Sequence, residues 1–334
     1  MVAHITRGLK LLQTLPDTSV RARHELLFQT TLGPALVATK GFATPEVGTT
    51  YMRARDLCQQ LGETPQLFAM LGGLWQFHVC RSEYQTARDL GEQLFTLAQR
   101  EQDLPALVVA YGALGQIFFC RGEWSQAQTH FEQSLLRYNS QHHQAITFLC
   151  GGEATGVATQ IFMAWGLWLQ GYPDQALKRM DQASRLAEEL DHPFSLAEVL
   201  FIAAGIHQCR GEGKVVQERA EALIALSTEQ GFALFVPFGS ILQGWALVVE
   251  EHREEEVIRM RQGLEAYRAT GMEMFCPHLL ALLAEVCGKV GRVEEGLKVL
   301  VEALDGVDKT EQRFYEAELY RLKGELTLQL KVKS

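Results

Sequence analysis

The sequence predicts an all-α, right-handed superhelical solenoid of about seven stacked helix hairpins, with an unpartnered helix at each end. Three observations predict it: a turn position that returns every forty residues, small residues recurring in phase with it, and prolines at the start of alternate helices. The turn falls at Ser82, Gly122, Gly171, Gly211, Glu251 and Gly291, in steps of 40, 49, 40, 40 and 40. One hairpin cannot bury its own apolar face, so such a period implies units that shelter one another.

The elements follow in chain order. Residues 3 to 15 read as one amphipathic helix, with Ile5, Leu9, Leu12 and Leu15 on a face and a stop at Pro16-Asp17. With the whole chain, 1–334, read as a single solenoid, residues 1–20 hold this N-terminal helix, which resembles the second helix of a hairpin whose first is absent. Second-helix positions then repeat: Ala54-Arg55-Asp56-Leu57 returns as Ala87-Arg88-Asp89-Leu90, followed by Ala127, Ala176, Val216, Glu256 and Gly296. Pro65, Pro105, Pro193, Pro237 and Pro277 mark openings of first helices, where a missing N–H costs little. The 49-residue step places an insertion at 138–156, and residues 312–330 read as a terminal first-type helix with Leu322 and Gly324 in register. An array open at both ends fits a piece of a larger protein, an end covered by a partner, or self-association through the ends.

Tyr111, Leu114, Gly115, Phe118, Gly122, Ala127 and Phe131 follow the tetratricopeptide pattern of aromatic, Leu-Gly, aromatic, glycine turn, then Ala-x3-Phe. Small residues where the two helices cross let the backbones approach, and large apolar neighbours fill the space between hairpins.

Composition removes several classes. Of 334 residues 47% are hydrophobic and 21% charged, which suits a folded chain. Asp plus Glu exceed Lys plus Arg by 40 to 31, so a nucleic-acid partner is not expected. Seven cysteines without close pairs fit reduced thiols and a cytoplasmic setting, and Arg7 and Lys10 interrupt the apolar N-terminus where a signal peptide would be continuous. The uncharged stretches Ala154 to Pro173 and Phe232 to Val249 approach spanning length. Their polar, Gly and Pro residues and their repeat register favour solenoid helices over membrane spans.

Chemistry-bearing motifs are scarce. Gly213-Lys214 lacks the rest of a phosphate-cradling loop, His24-Glu25 lacks a second metalloprotease histidine, and there is no GxSxG or CxxC. No enzyme activity, catalytic residue, cofactor or metal is expected. His130, His142, His143 and Cys150 cluster near the insertion but lack the paired spacing of zinc ligands, and His78-x-Cys80 and His207-x-Cys209 sit at equivalent repeat positions that suit packing.

Counting from the turns, first helices should present Gln76, Gln116, Phe119, Trp165, Trp168, Gln208, Phe238, Trp245, His278 and Glu285 to the concave wall. Two roles are open to the aromatic members: packing between repeats, or a recognition surface for a peptide, an amphipathic helix or a stacked sugar. Lys and Arg are absent from 65–80, 105–120, 154–171, 194–209 and 232–249, which excludes a cationic clamp on an acidic tail.

The runs at 7–47, 51–68 (YMRARDLCQQLGETPQLF), 181–197 (DQASRLAEELDHPFSLA), 217–232 (QERAEALIALSTEQGF) and 308–326 (DKTEQRFYEAELYRLKGEL) resemble the tetratricopeptide region of bacterial signalling proteins. In those proteins an AAA- or STAND-type ATPase is joined to a class III adenylate or guanylate cyclase. The resemblance implies a non-enzymatic regulatory module that binds a partner protein or peptide in its groove, the partner being an ATPase or cyclase module of the same or a neighbouring chain. The alternative is a small-molecule or peptide sensor controlling a linked ATPase or transcription activator.

Overall fold

The computed structural model describes residues 1–62, 66–142, 154–251 and 253–333. Among the described residues are sixteen α-helices, a 3-10 turn at Ser140–His142 and no strand. Helix α1 (Val2–Leu12) precedes seven hairpins, each of an inner helix A and an outer helix B. They are α2 (Ser19–Lys40) with α3 (Pro45–Leu61), α4 (Leu67–Cys80) with α5 (Tyr84–Glu101), α6 (Leu104–Cys120) with α7 (Trp124–Arg137), and α8 (Thr155–Leu169) with α9 (Pro173–Glu189). Then come α10 (Pro193–Cys209) with α11 (Gly213–Gln230), α12 (Phe235–Glu251) with α13 (Glu256–Ala269), and α14 (Cys276–Lys289) with α15 (Val293–Thr310). Helix α16 (Glu316–Lys333) follows as an A helix.

Local chemistry explains the boundaries. Thr18 and Asp103 accept the backbone N–H of Arg21 and Ala106 at 3.2 and 3.0 Å, capping α2 and α6. Pro105, Pro193 and Pro277 lie in the first turns of α6, α10 and α14, Pro237 is the third residue of α12, and Pro65 lies outside the described residues. Left-handed residues end most helices and fall at half-repeat steps: Ser82, Gln102 and Gly122, then Gly171, Asp191, Gly211 and Gly231, then Gly271, Gly291 and Glu311. Such a residue lets the next N–H groups turn back onto the last carbonyls, as Ser82 N–H does to Val79 and Glu83 N–H to His78, each at 2.9 Å. Glu251 departs from the expected turn: it is the last residue of α12. Of the 138–156 insertion, 143–153 lie outside the described residues.

The small residues do the expected work. A side chain at Gly115 would come within 2.5 Å of the Phe131 ring, and one at Gly244 within 2.6 Å of Met260, so only a bare backbone lets helix A sit this close to helix B.

The superhelix then closes on itself. The loops entering α12, α14 and α16 reach across the axis to the A–B turns of the first three hairpins. Leu234 lies beside Gly41. Glu273 and Met274 donate their N–H groups to Cys80 O at 2.9 and 3.1 Å, and Phe314 N–H donates to Cys120 O at 3.2 Å. The separations, 234 − 41, 273 − 80 and 314 − 120, are 193, 193 and 194 residues, so each rung repeats the previous one a hairpin further along. The inner wall expected to stand open is therefore covered over much of its length by the chain's own loops.

Candidate binding surface along the superhelix axis

The A helices line the axis, and the ten residues expected there separate into three groups. Phe119, Trp165 and His278 are packed into an aromatic centre, with Trp165 and His278 both 0% exposed. Trp165 stacks on Phe275 (5.3 Å, 26°) and meets His278 and Phe314 edge-on at 5.1 and 5.4 Å, while Phe119 stacks on Phe314 at 5.3 Å. Neither nitrogen of His278 nor the Trp165 indole N–H has a hydrogen-bond partner, and burial pushes the imidazole down to about 3. His278 is neutral at physiological pH, since nothing nearby offsets the cost of a buried charge.

Gln76, Gln116 and Phe238 line the second feature, a small axial cavity of about 40 Å³. Phe42, Phe201, Met272 and Phe275 form its apolar wall and Glu198 adds a carboxylate. Both buried amides donate to sulfur, Gln76 to Cys80 Sγ at 3.8 Å and Gln116 to Met274 Sδ at 3.7 Å. A sulfur is a weak acceptor, so these donors are available to a better one. The cavity is well below the ~300–1,000 Å³ of a pocket that takes a small ligand.

The third group is polar and lies at the edge of the covered region. Glu285 Oε2 accepts the Trp245 indole N–H at 2.8 Å and a weaker bond from Gln208 Nε2 at 3.3 Å, and Lys289 Nζ stands 3.7 Å from Oε1. Burial pushes the Glu285 carboxyl up, against the indole hydrogen bond and Lys289. Cys209 lies 3.8 Å from the Tyr315 hydroxyl. Trp245 is 1% exposed, whereas Trp168, Cys209 and Glu285 are half-buried. This edge of the axis brings together a half-buried indole, a buried amide and a half-buried carboxylate.

Other chemistry is muted. None of the six described cysteines forms a disulfide, and burial pushes the Cys209 thiol up to about 11 and those of Cys120 and Cys276 up to about 12, away from reactive thiolates. His78 and His207 are carboxylate partners at the A–B turns, with Nδ1 at 2.5 Å from Glu83 and 2.6 Å from Glu212, and the His78 ring also lies edge-on to Phe77. No metal-binding cluster occurs among the described residues. His130 lies against Gln126 O and the Phe118 ring, and His143 and Cys150 lie outside the described residues. Among the described residues no helix is long and apolar enough to cross a membrane.

Met274, Phe275, Phe314 and Tyr315 are the axis residues that repeat counting misses, because they come from B–A loops. A signal exists: after the left-handed positions 191, 231, 271 and 311, the next helix begins at once in the first case and several residues later in the other three, with Leu234, Met274 and Phe314 in the added length.

Comparison with known proteins agrees with this architecture. The tetratricopeptide repeat family matches residues 157–182, within α8 and α9. An uncharacterised protein of Rhizobium meliloti (strain 1021) is 22% identical over 328 residues, 96% of this chain and 31% of that protein, so the chain spans under a third of that relative's length. A Rap protein complexed with competence and sporulation factor is similar with a TM-score of 0.59 and 11% identity, over 99% of this chain and 93% of that one. Yeast Tom70 has a TM-score of 0.46 and 14% identity over 96% and 67% of the two chains. The chain is an all-helical solenoid of tetratricopeptide type, a fold that points to a protein–protein interaction module.

Proposed function

We propose that this chain is a non-enzymatic regulatory module of a signalling ATPase or cyclase system, and that it binds a segment of a partner protein at the mouth formed by Trp168, Gln208, Cys209 and Glu285. The carrying observation is the Trp245–Glu285–Gln208 cluster: a half-buried carboxylate held by a buried indole and amide, near the half-buried Trp168 and Cys209, where the rest of the wall is covered. A partner's backbone N–H groups would find an acceptor in Glu285, and its apolar side chain would find Trp168. The bacterial signalling context rests on the resemblance of the runs named above, and the Rap protein that shares this fold is complexed with competence and sporulation factor. Affinity capture from the source cell with the wild-type chain, Trp168→Ala and Glu285→Ala tests this reading. It expects an ATPase- or cyclase-bearing protein that both variants lose; identical capture by all three chains would defeat it.

The buried Gln76 and Gln116 amides, which donate to sulfur on the axis, favour a second reading, a sensor of a small molecule or short peptide. A ligand there would touch both the A helices and the loops that close the superhelix, so binding would stabilise the closed form. Thermal stabilisation in a metabolite and peptide screen, lost in Gln116→Ala, would support it. A flat screen would leave the partner-binding reading alone in place.

A further inference from the structure

The loop that enters α14 is seated on the solenoid as a bound peptide would be. Gly271 lies against the first hairpin, where a side chain would come within 2.5 Å of Ala43 O. Glu273 and Met274 donate their N–H groups to Cys80 O of the second hairpin, and Met274 Sδ accepts from Gln116 of the third. The Phe275 ring meets Phe162 and Trp165 of the fourth at 6.2 and 5.3 Å and Phe201 of the fifth at 5.5 Å. Met272 and Met274 are buried and Glu273 between them is exposed, so inward and outward side chains alternate. The stretch 271–275 thus touches each of the first five hairpins along their inner wall.

Its fit is imperfect in three independent ways. Gln76 and Gln116 spend buried amide donors on sulfur, a weak acceptor. A void of about 40 Å³ remains beside both amides, bounded by Met272, Met274 and Phe275, where the lining atoms lack contacts. Phe275 is held in a left-handed backbone at φ +68°, an outlier for a bulky residue, whereas its repeat counterparts Phe235 and Tyr315 are not. One side chain fastens this poor fit: Gln312 accepts the Phe275 N–H and donates to Ser82 Oγ. Ser82 is itself left-handed, at φ +56°, where later A–B turns carry Gly122, Gly171, Gly211 and Gly291. Glycine would adopt that turn without strain, but it has no hydroxyl for Gln312 to hold.

We infer that Gly271–Phe275 is an autoinhibitory strap: it occupies the inner wall as the chain's own weak ligand, latched by Gln312, and a better-fitting segment of a partner protein displaces it. The displacing segment has defined chemistry. It carries a glutamine where the strap has Met274, followed by an aromatic residue in the place of Phe275. Glutamine matches methionine in length; its carbonyl accepts from Gln116, and its NH2 group donates to Glu198, which borders the void and as a carboxylate has acceptor sites to spare. A carboxylate in that place would meet Glu198 as a like charge. The strap is separate from the Trp168–Glu285 mouth, so either can fail alone. It also differs from the sensor reading, in which a ligand adds to the closed form instead of lifting a loop out of it.

Hydrogen exchange and peptide binding on the full chain test the strap. Amides over 271–276 should exchange at least a hundredfold faster than those of the buried helix α8, because the loop lifts while the hairpins stay folded. A fluorescent peptide with the sequence of Gly271–His278 carrying Met274→Gln should bind the wild-type chain and speed exchange over 271–276, whereas a ligand joining the closed form would slow it. Gln312→Met keeps the side chain's bulk and removes its hydrogen bonds, so it should tighten peptide binding at least tenfold. Met274→Gln placed in the chain improves the strap instead: it should raise the melting temperature and weaken the peptide at least tenfold. Exchange over 271–276 no faster than in α8, equal peptide affinity in all three chains, or binding to none of them would each overturn the strap. A lower melting temperature for Met274→Gln would overturn the glutamine assigned to the displacing segment.

Discussion

Gln312 Nε2 donates to Ser82 Oγ at 3.0 Å across 230 residues of sequence, while its Oε1 accepts the backbone N–H of Phe275 at 2.7 Å. The side chain is 1% exposed and belongs to the loop that docks at Cys120, yet it holds the neighbouring loop against the turn after α4. One amide therefore couples two rungs. Replacing it with Ala would leave the Phe275 N–H buried and unsatisfied, which costs about 1–3 kcal/mol beyond the bonds themselves. Gln312→Ala should lower the unfolding free energy by about 2–4 kcal/mol in a urea titration, and a loss under about 0.5 kcal/mol would show that the rungs do not act together.

Backbone conformation predicts a contrast between two glycines. Both Gly211 (φ +72°) and Gly271 (φ +81°) are left-handed, so alanine at either is strained by about 1–2 kcal/mol. Gly211 faces open space, but a side chain at Gly271 would lie 2.5 Å from Ala43 O in the rung contact. Gly211→Ala should stay within that strain, whereas Gly271→Ala should cost at least about 2 kcal/mol more, because a backbone oxygen cannot swing aside. Equal losses would mean that the loop entering α14 does not press on the first hairpin.

Acid should weaken the closed form through His278. In the unfolded chain this imidazole takes a proton near pH 6.5, and in the fold burial holds that event down to about 3. Between those values the unfolded state binds the extra proton, so stability falls as pH drops from 6.5 towards 3 and is fully retained above 6.5. At pH 5 this single group should account for about 2 kcal/mol. Glu285 runs the other way: its raised carboxyl means that stability is lost as pH climbs from the ordinary carboxylate range through the raised value. Comparing His278→Phe with the parent cancels the Glu285 contribution. The variant should lose less stability between pH 8 and pH 5 than the parent does, as followed by chemical denaturation at both pH values.

The hairpins and their order are legible in the sequence because they depend on contacts within about forty residues, where glycine turns and crossing positions such as Gly115 and Phe131 leave a local imprint. The ladder joining Cys80 to Glu273 is not, because a separation of 193 residues follows from the pitch of the superhelix. That pitch accumulates from small rotations at each hairpin. Repeat counting faces Trp165, Phe238 and His278 towards the axis, yet it cannot say whether the axis holds solvent or protein. The late-starting helices after Gly231, Gly271 and Glu311 carry that information, but Phe314 and Met274 acquire meaning only beside Cys120 and Cys80.

The two tryptophans one helical turn apart on α8 separate structure from recognition. Trp165 is wholly buried among Phe119, Phe275, His278 and Phe314, and its loss would empty the middle of the aromatic centre. Deletion of a core aromatic side chain costs about 3–5 kcal/mol, so Trp165→Ala should depress the denaturation midpoint strongly and loosen every rung packed on that ring. Trp168 is half-buried beside Cys209 at the mouth, with no comparable enclosure. Trp168→Ala should therefore cost about 1 kcal/mol or less while reducing partner capture, because an indole at an interface contributes mostly on binding. The decisive measurement pairs a urea midpoint with an affinity for each variant. If Trp165→Ala unfolds no more readily than Trp168→Ala, the axis is not a packed core. If Trp168→Ala keeps full affinity, recognition lies elsewhere on the solenoid.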